Sequence, residues 1–249
     1  VMNNHIAEEI KNRWLAVQDS IEQSAVRAHR KPHDIKVIVV TKFQPIERVE
    51  AAIQCGIRDF GENYPEMAIE KIEHFSNISH IRWHMIGHLQ SRKASIVAKE
   101  FSMFHALDSL KIAQKLDNAL SIYDKVMPVL LEINVSGEES KFGWKVDDNS
   151  CSKWMEIVAK ISQLPHLRIN GLMTMPPFFD DPELSRPYFI KLYELFVKLR
   201  CQFPALPLDH LSMGTSQDFR VAIEEGATMV RIGTAIMGSR NISQRIEQV

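Results

Sequence analysis

The chain has 249 residues, 45% of them hydrophobic, and a formal net charge of −1, so it can bury a large core but offers no charge excess for nucleic acid or an anionic membrane. Its three cysteines, Cys55, Cys151 and Cys201, lie far apart without a CxxC pair. That excludes a disulfide framework and a zinc knuckle, and predicts a reducing, cytoplasmic setting. Val1–His5 lacks a basic segment leading into an apolar one, so no signal peptide is expected, and no apolar run is long enough to span a bilayer.

The first element is a helix over about residues 5–29, because Ile6, Ile10, Trp14, Val17, Ile21, Ala25 and Ala28 recur at steps of three and four. After Lys31-Pro32 short apolar strands alternate with amphipathic helices. Strands are predicted at 35–41, 57–60, 81–86, 102–107, 127–134, 167–173, 208–213 and 228–232. Helices are predicted near 46–55, 65–75, 91–100, 109–122, 150–163, 183–202 and 216–225, with a short one after Thr234. About eight βα units predict an α/β fold of the (β/α)8, TIM-barrel type, spanning about 35–240 as one domain with the extra N-terminal helix. The first strand is not followed by GxGxxG, which speaks against an open dinucleotide-binding sheet. Met175–Pro182 reads as a rim loop or lid after the sixth strand.

In such a barrel the loops after the strands carry the site, and the polar residues gather there. Lys42 ends the first strand and Asn63 follows the second. His84 and His88 lie at the end of the third, Asp108 at the fourth, and Asn134 and Ser136 at the fifth. Lys42 at the tip of a Val/Ile-rich strand is either a rim lysine reaching into water or an amine desolvated for attack on a carbonyl. Gly214-Thr215-Ser216 and Gly233-Thr234 follow strands seven and eight, where this fold frequently holds phosphate on backbone N–H groups. Thr215 or Ser216 could equally cap the helix through Phe219 and Ile223. A buried amine facing a phosphate cradle suits an aldehyde-bearing phosphorylated cofactor such as pyridoxal 5'-phosphate.

Arg231 lies in an apolar strand, where it either pairs with a carboxylate such as Glu132 or donates to a ligand. His84 and His88 lack a third ligand, so no metal is expected. Arg92, Lys93 and Lys99 read as a solvated helix face, Met173 and Met175 as core fillers, and Ser136–Gly143 as a polar loop that closes over the site or simply connects.

Several motifs recur in a set order: Val39-Val40-Thr41-Lys42, Phe60-Gly61-Glu62-Asn63-Tyr64, Trp83-His84-Met85-Ile86-Gly87, Leu89-Gln90-Ser91, Ser140-Lys141-Phe142-Gly143, Gly171-Leu172-Met173, Leu211-Ser212-Met213-Gly214 and Val230-Arg231-Ile232-Gly233-Thr234. In these the chain resembles the pyridoxal phosphate homeostasis protein family, whose barrel is similar to the N-terminal domain of bacterial alanine racemase. The resemblance runs from the first strand to Arg240. It implies that Lys42 carries pyridoxal 5'-phosphate as a Schiff base and that Ser216, Gly233 and Thr234 hold its phosphate. Arg231 would face the pyridine nitrogen, with Asn63, His84 and Met213 lining the ring pocket. His88 to Lys93 departs from the family's usual Gly-Pro-Leu-Gln pattern, so no role is carried over to that loop.

An arginine opposite the pyridine nitrogen keeps it unprotonated and weakens the ring as an electron sink. Racemases offset this with a tyrosine from a separate β-domain. Here 235–249 is too short for one, and Tyr64, Tyr123, Tyr188 and Tyr193 all lie within the barrel portion. The expectation is a monomeric binding protein for vitamin B6 homeostasis or delivery, with pyridoxal-phosphate-dependent apo-enzymes as candidate recipients, without efficient catalysis. Two rivals remain: an amino-acid racemase completed by a partner, and a Schiff-base barrel enzyme acting on a phosphorylated metabolite.

Overall fold

A computed structural model describes residues 4–239, so the predicted barrel limit at Arg240 lies outside the described residues. The strands are β1 (Lys36–Val40), β2 (Asp59–Glu62), β3 (Arg82–Met85), β4 (Met103–Leu107), β5 (Met127–Glu132), β6 (Leu167–Met173), β7 (His210–Thr215) and β8 (Met229–Ile232). They pair in sequence order as a closed barrel, every pair parallel, with β8 returning to β1 through Val39 and Ile232. β4 is buried throughout, as expected for strands covered on both faces.

The long helices between the strands are α2 (Ile46–Gln54), α3 (Pro65–His74), α4 (Ala94–Glu100), α5 (Leu110–Ser121), α6 (Cys151–Ser162) and α7 (Arg186–Gln202). The last two, α8 (Phe219–Glu224) and α9 (Thr234–Met237), are too short to cover the barrel beside them. The N-terminal helix α1 (Asn4–Arg27) fills that sector by packing across α2, α8 and α9. It buries Ile10, Val17, Ile21 and Ala25, four of the positions picked out by the period. Arg30 then fastens its exit by donating to the carbonyls of Ile223 and Ala227 at 2.8 and 2.7 Å.

Several expectations are displaced. β2 runs two residues later than predicted, so Gly61 and Glu62 belong to the strand, and β7 continues to Thr215. Residues 91–93 form a 3-10 turn ahead of α4, and Lys93 is partly buried and paired with Glu66 rather than solvated. Met173 is core, but Met175 is 46% exposed because it has already left β6 for the rim.

Candidate functional site

Side chains alternate along each strand, which separates two groups of polar residues. On the helix side of β1 and β2, the Thr41 hydroxyl donates to Glu62 Oε1 at 2.7 Å. Lys71 of α3 donates from Nζ to that same oxygen and to the Thr41 carbonyl, both at 2.7 Å. Glu62 and Lys71 are buried, so each charge depends on the other. The Thr41 carbonyl also accepts from Gln44 N at 3.0 Å, closing a turn with Lys42 and Phe43 at its centre. Phe43, the third residue of this turn, has φ +57°, a left-handed geometry that costs a non-glycine residue energy. Lys42, half-buried, therefore stands at the apex of a turn clamped from below by a buried ion pair.

Beside it is the end of β8. A Cβ built on Gly233 would lie 3.5 Å from Val40 Cβ, which places this turn against the last residue of β1, two positions before Lys42. The backbone amides of Gly233 and Ala235 both donate to Ser216 Oγ, at 3.1 and 3.2 Å. Two donors from the β8 turn and one hydroxyl from the β7 turn thus converge on one point. Ser216 and Thr215 do not cap α8: Asp218 is its N-cap residue, and the Asp218 carboxylate accepts instead from Thr215 N and Oγ1. Thr234 is exposed at the same turn.

Inside the barrel, Arg231 is buried but forms no ion pair with Glu132. It donates from Nη1 to Ser212 Oγ at 2.5 Å and from Nη2 to the Thr174 carbonyl at 2.9 Å and Met175 Sδ at 2.8 Å. Burial lowers its pKa to about 10, against the pull of Asp218 and Glu132, so it stays charged at neutral pH. Glu132, at the end of β5, has its pKa raised to about 7 by burial, with Asp108 adding to the rise and Arg231 opposing it. Its Oε2 is buried without a partner, as is Oδ1 of Asn63 at the end of β2. Gly87 lets the loop after β3 press on Asn63, since a Cβ there would meet Asn63 O at 2.6 Å.

Met213 and His84, expected to line a ring pocket, are both buried. Ser212 bonds into the lumen, and Met213 follows it in β7 where the register with β8 shifts. His84 is buried in the lumen with both ring nitrogens engaged, Nε2 with Asp59 Oδ1 at 2.9 Å and Nδ1 with His105 Nε2 at 3.0 Å. Its backbone is in register with Gly61, which pairs with Val40 two residues before Lys42. His88 is separate from His84: it pairs with Asp108 at 2.7 Å and stacks on Phe142 at 3.9 Å between centroids.

That stack brings Ser136–Gly143 over the rim. Asn134 Nδ2 holds the loop through the carbonyls of Glu138 and Lys141, and Lys141 Nζ reaches the Met175 carbonyl at 3.3 Å. Sequence reasoning missed Asp59, His105, Glu62 and Lys71. Of these only His105, a polar residue between Phe104 and Ala106 in β4, carried a signal that could have found it.

The family profile "Alanine racemase, N-terminal domain" matches residues 10–241. A pyridoxal phosphate homeostasis protein of Pasteurella multocida is 38% identical over 237 residues, 94% of this chain and 99% of that relative. The protein of the same name from Escherichia coli K12 is 36% identical over 241 residues, 95% of this chain and 99% of its own. Among solved structures, PipY of Synechococcus elongatus PCC7942 with pyridoxal phosphate bound superposes with a TM-score of 0.80 at 28% identity, covering 92% of this chain and all of that one.

Proposed function

The chain belongs to the pyridoxal phosphate homeostasis protein family, and from that premise we propose that it binds pyridoxal 5'-phosphate at the barrel mouth and serves vitamin B6 homeostasis. The cofactor supplies an aldehyde that condenses with a primary amine and a phosphate that anchors it. Lys42 is the amine, held by the Thr41–Gln44 turn. The convergence of Gly233 N and Ala235 N on Ser216 Oγ, beside the strand that ends in Lys42, is the observation that carries the reading. Ser216, Gly233 and Thr234 hold the phosphate, and amides already aimed at one oxygen need little reorganisation to do so. Asn63 Oδ1, buried without a partner, is an acceptor waiting for a donor on the ligand.

Arg231 faces the pyridine nitrogen. A guanidinium that stays charged donates to this nitrogen and cannot protonate it, so the ring remains a poor electron sink. Retention rather than turnover follows, and passage of the cofactor to apo-enzymes in the cytoplasm belongs to the same reading. The protein acts as a monomer, with α1 and the barrel as one domain, since α1 covers the flank that α8 and α9 leave bare. The test pairs two measurements. Pyridoxal 5'-phosphate should raise Tm in proportion to the logarithm of its concentration, while exchange of the amino-acid α-proton stays near the uncatalysed rate. Rapid exchange abolished by Lys42→Ala would establish a racemase-type enzyme instead.

A further inference from the structure

Below the mouth, one line of hydrogen bonds crosses the barrel interior from β8 to β2. Arg231 Nη1 meets Ser212 Oγ at 2.5 Å, and Ser212 Oγ meets His105 Nδ1 at 2.9 Å. His105 Nε2 meets His84 Nδ1 at 3.0 Å, and His84 Nε2 meets Asp59 Oδ1 at 2.9 Å. Asp59 sits at the start of β2, the end of the barrel opposite Lys42, and is gripped there by Arg82 through two bonds at 2.7 and 2.6 Å. Ser212, His105 and His84 are 0, 0 and 2% exposed, so bulk water does not supply alternative partners.

The donor sense of this line is fixed by its ends. A guanidinium only donates, so Ser212 Oγ accepts from it. Among the described residues His105 Nδ1 is the one acceptor given for the Ser212 proton, which puts the His105 proton on Nε2. That proton goes to His84 Nδ1, so the His84 proton is on Nε2 and goes to Asp59. An ionised carboxylate only accepts, and Arg82 and His84 together hold the Asp59 pKa below the ordinary carboxylate range, against burial. Both ends therefore demand the same arrangement. If either histidine were doubly protonated, one N–H would face another across 3.0 Å, or Nδ1–H of His105 would face the Ser212 proton. Burial lowers both histidine pKa values in agreement with this.

We propose that Asp59, His84, His105 and Ser212 form a single oriented hydrogen-bond chain, with every donor pointing from Arg231 toward Asp59, that positions the Arg231 guanidinium from the far end of the barrel. The four are positioning residues, since none reaches the mouth. The chain's geometry stands independently of any ligand. Its consequence for the cofactor ring rests on the reading that Arg231 faces the pyridine nitrogen. With one terminal nitrogen committed to Ser212 and the other to Thr174 and Met175, the guanidinium is fixed in place before a ligand arrives.

The test is nitrogen-15 NMR of the histidine rings in the cofactor-free protein, which reads tautomers directly and does not depend on pyridoxal phosphate. In the wild type, His84 and His105 should both be neutral Nε2–H tautomers from about pH 6 to 9, and Ser212→Ala should leave His84 so, because Asp59 still fixes it. Asp59→Ala should likewise leave His84 as Nε2–H, because His105 still donates to its Nδ1, and only the double variant Asp59→Ala/Ser212→Ala should release both rings from a single tautomer. An Nδ1–H tautomer or an imidazolium at either histidine in the wild type would overturn the chain, even where Asp59→Ala fails to fold. Single Nε2–H tautomers at both histidines in the folded double variant would overturn the role of the two ends. A correct tautomer pattern in a protein that does not take up pyridoxal phosphate would uphold the chain and sink the cofactor reading alone.

Discussion

The Ser216 hydroxyl accepts the backbone N–H of Gly233 at 3.1 Å, joining the turn after β7 to the turn after β8 at the place where an anion would sit. Ser216→Ala removes the hydroxyl that a bound phosphate would share with these amides. A charge-assisted hydrogen bond contributes about 1.5–3 kcal/mol, so the dissociation constant for pyridoxal 5'-phosphate should rise roughly 10- to 100-fold by equilibrium dialysis. An unchanged constant would place the phosphate elsewhere.

Lys71 and Glu62 form a buried pair beneath the Lys42 turn. Removing one partner leaves the other charge uncompensated, which typically costs about 3–5 kcal/mol. Lys71→Met should therefore lower the urea midpoint sharply, and adding Glu62→Gln should restore much of the loss. Equal midpoints for wild type and Lys71→Met would show that the pair does not stabilise the fold.

Glu132 carries a stability dependence whose sign can be worked out. Its pKa of about 7 in the folded chain lies above its ordinary value, so the folded state binds the extra proton between the two. The stability this contributes is complete below the unfolded value and is lost as pH rises through about 7, by an amount on the order of 3 kcal/mol. Glu132→Gln should match the wild type in acid and exceed it above pH 7. Urea unfolding across pH 5 to 8 checks this, and a difference that does not vary with pH would contradict it.

Much of this was legible in the chain because the barrel imposes a simple code. Apolar runs of strand length, separated by periodic helices, gave eight units in the right order, and Lys42, Ser216, Gly233 and Arg231 stood out as polar or glycine residues at their ends. What stayed hidden depends on which way a side chain turns. Ser212 reads as one more strand-end residue, and only its bonds show that it joins Arg231 to His105 inside the barrel. His84 resembled a ligand-facing histidine because its partners, His105 and Asp59, lie 21 and 25 residues away in chain. For Arg231 the sequence leaves a carboxylate partner or a ligand open, and a hydroxyl, a carbonyl and a thioether bind it in the folded chain. Lys71 sits on a helix face that reads as solvated until β2 is shifted two residues and Glu62 turns toward it.

The central claim is that Lys42 is the amine that takes up the cofactor aldehyde. Borohydride reduction of the protein loaded with pyridoxal 5'-phosphate, followed by peptide mapping, tests it most directly. The absorbance band of the bound cofactor should be lost on reduction, and the cofactor's mass should be fixed to one peptide, at Lys42. Label on another lysine, or equal labelling of Lys42→Ala, would contradict it.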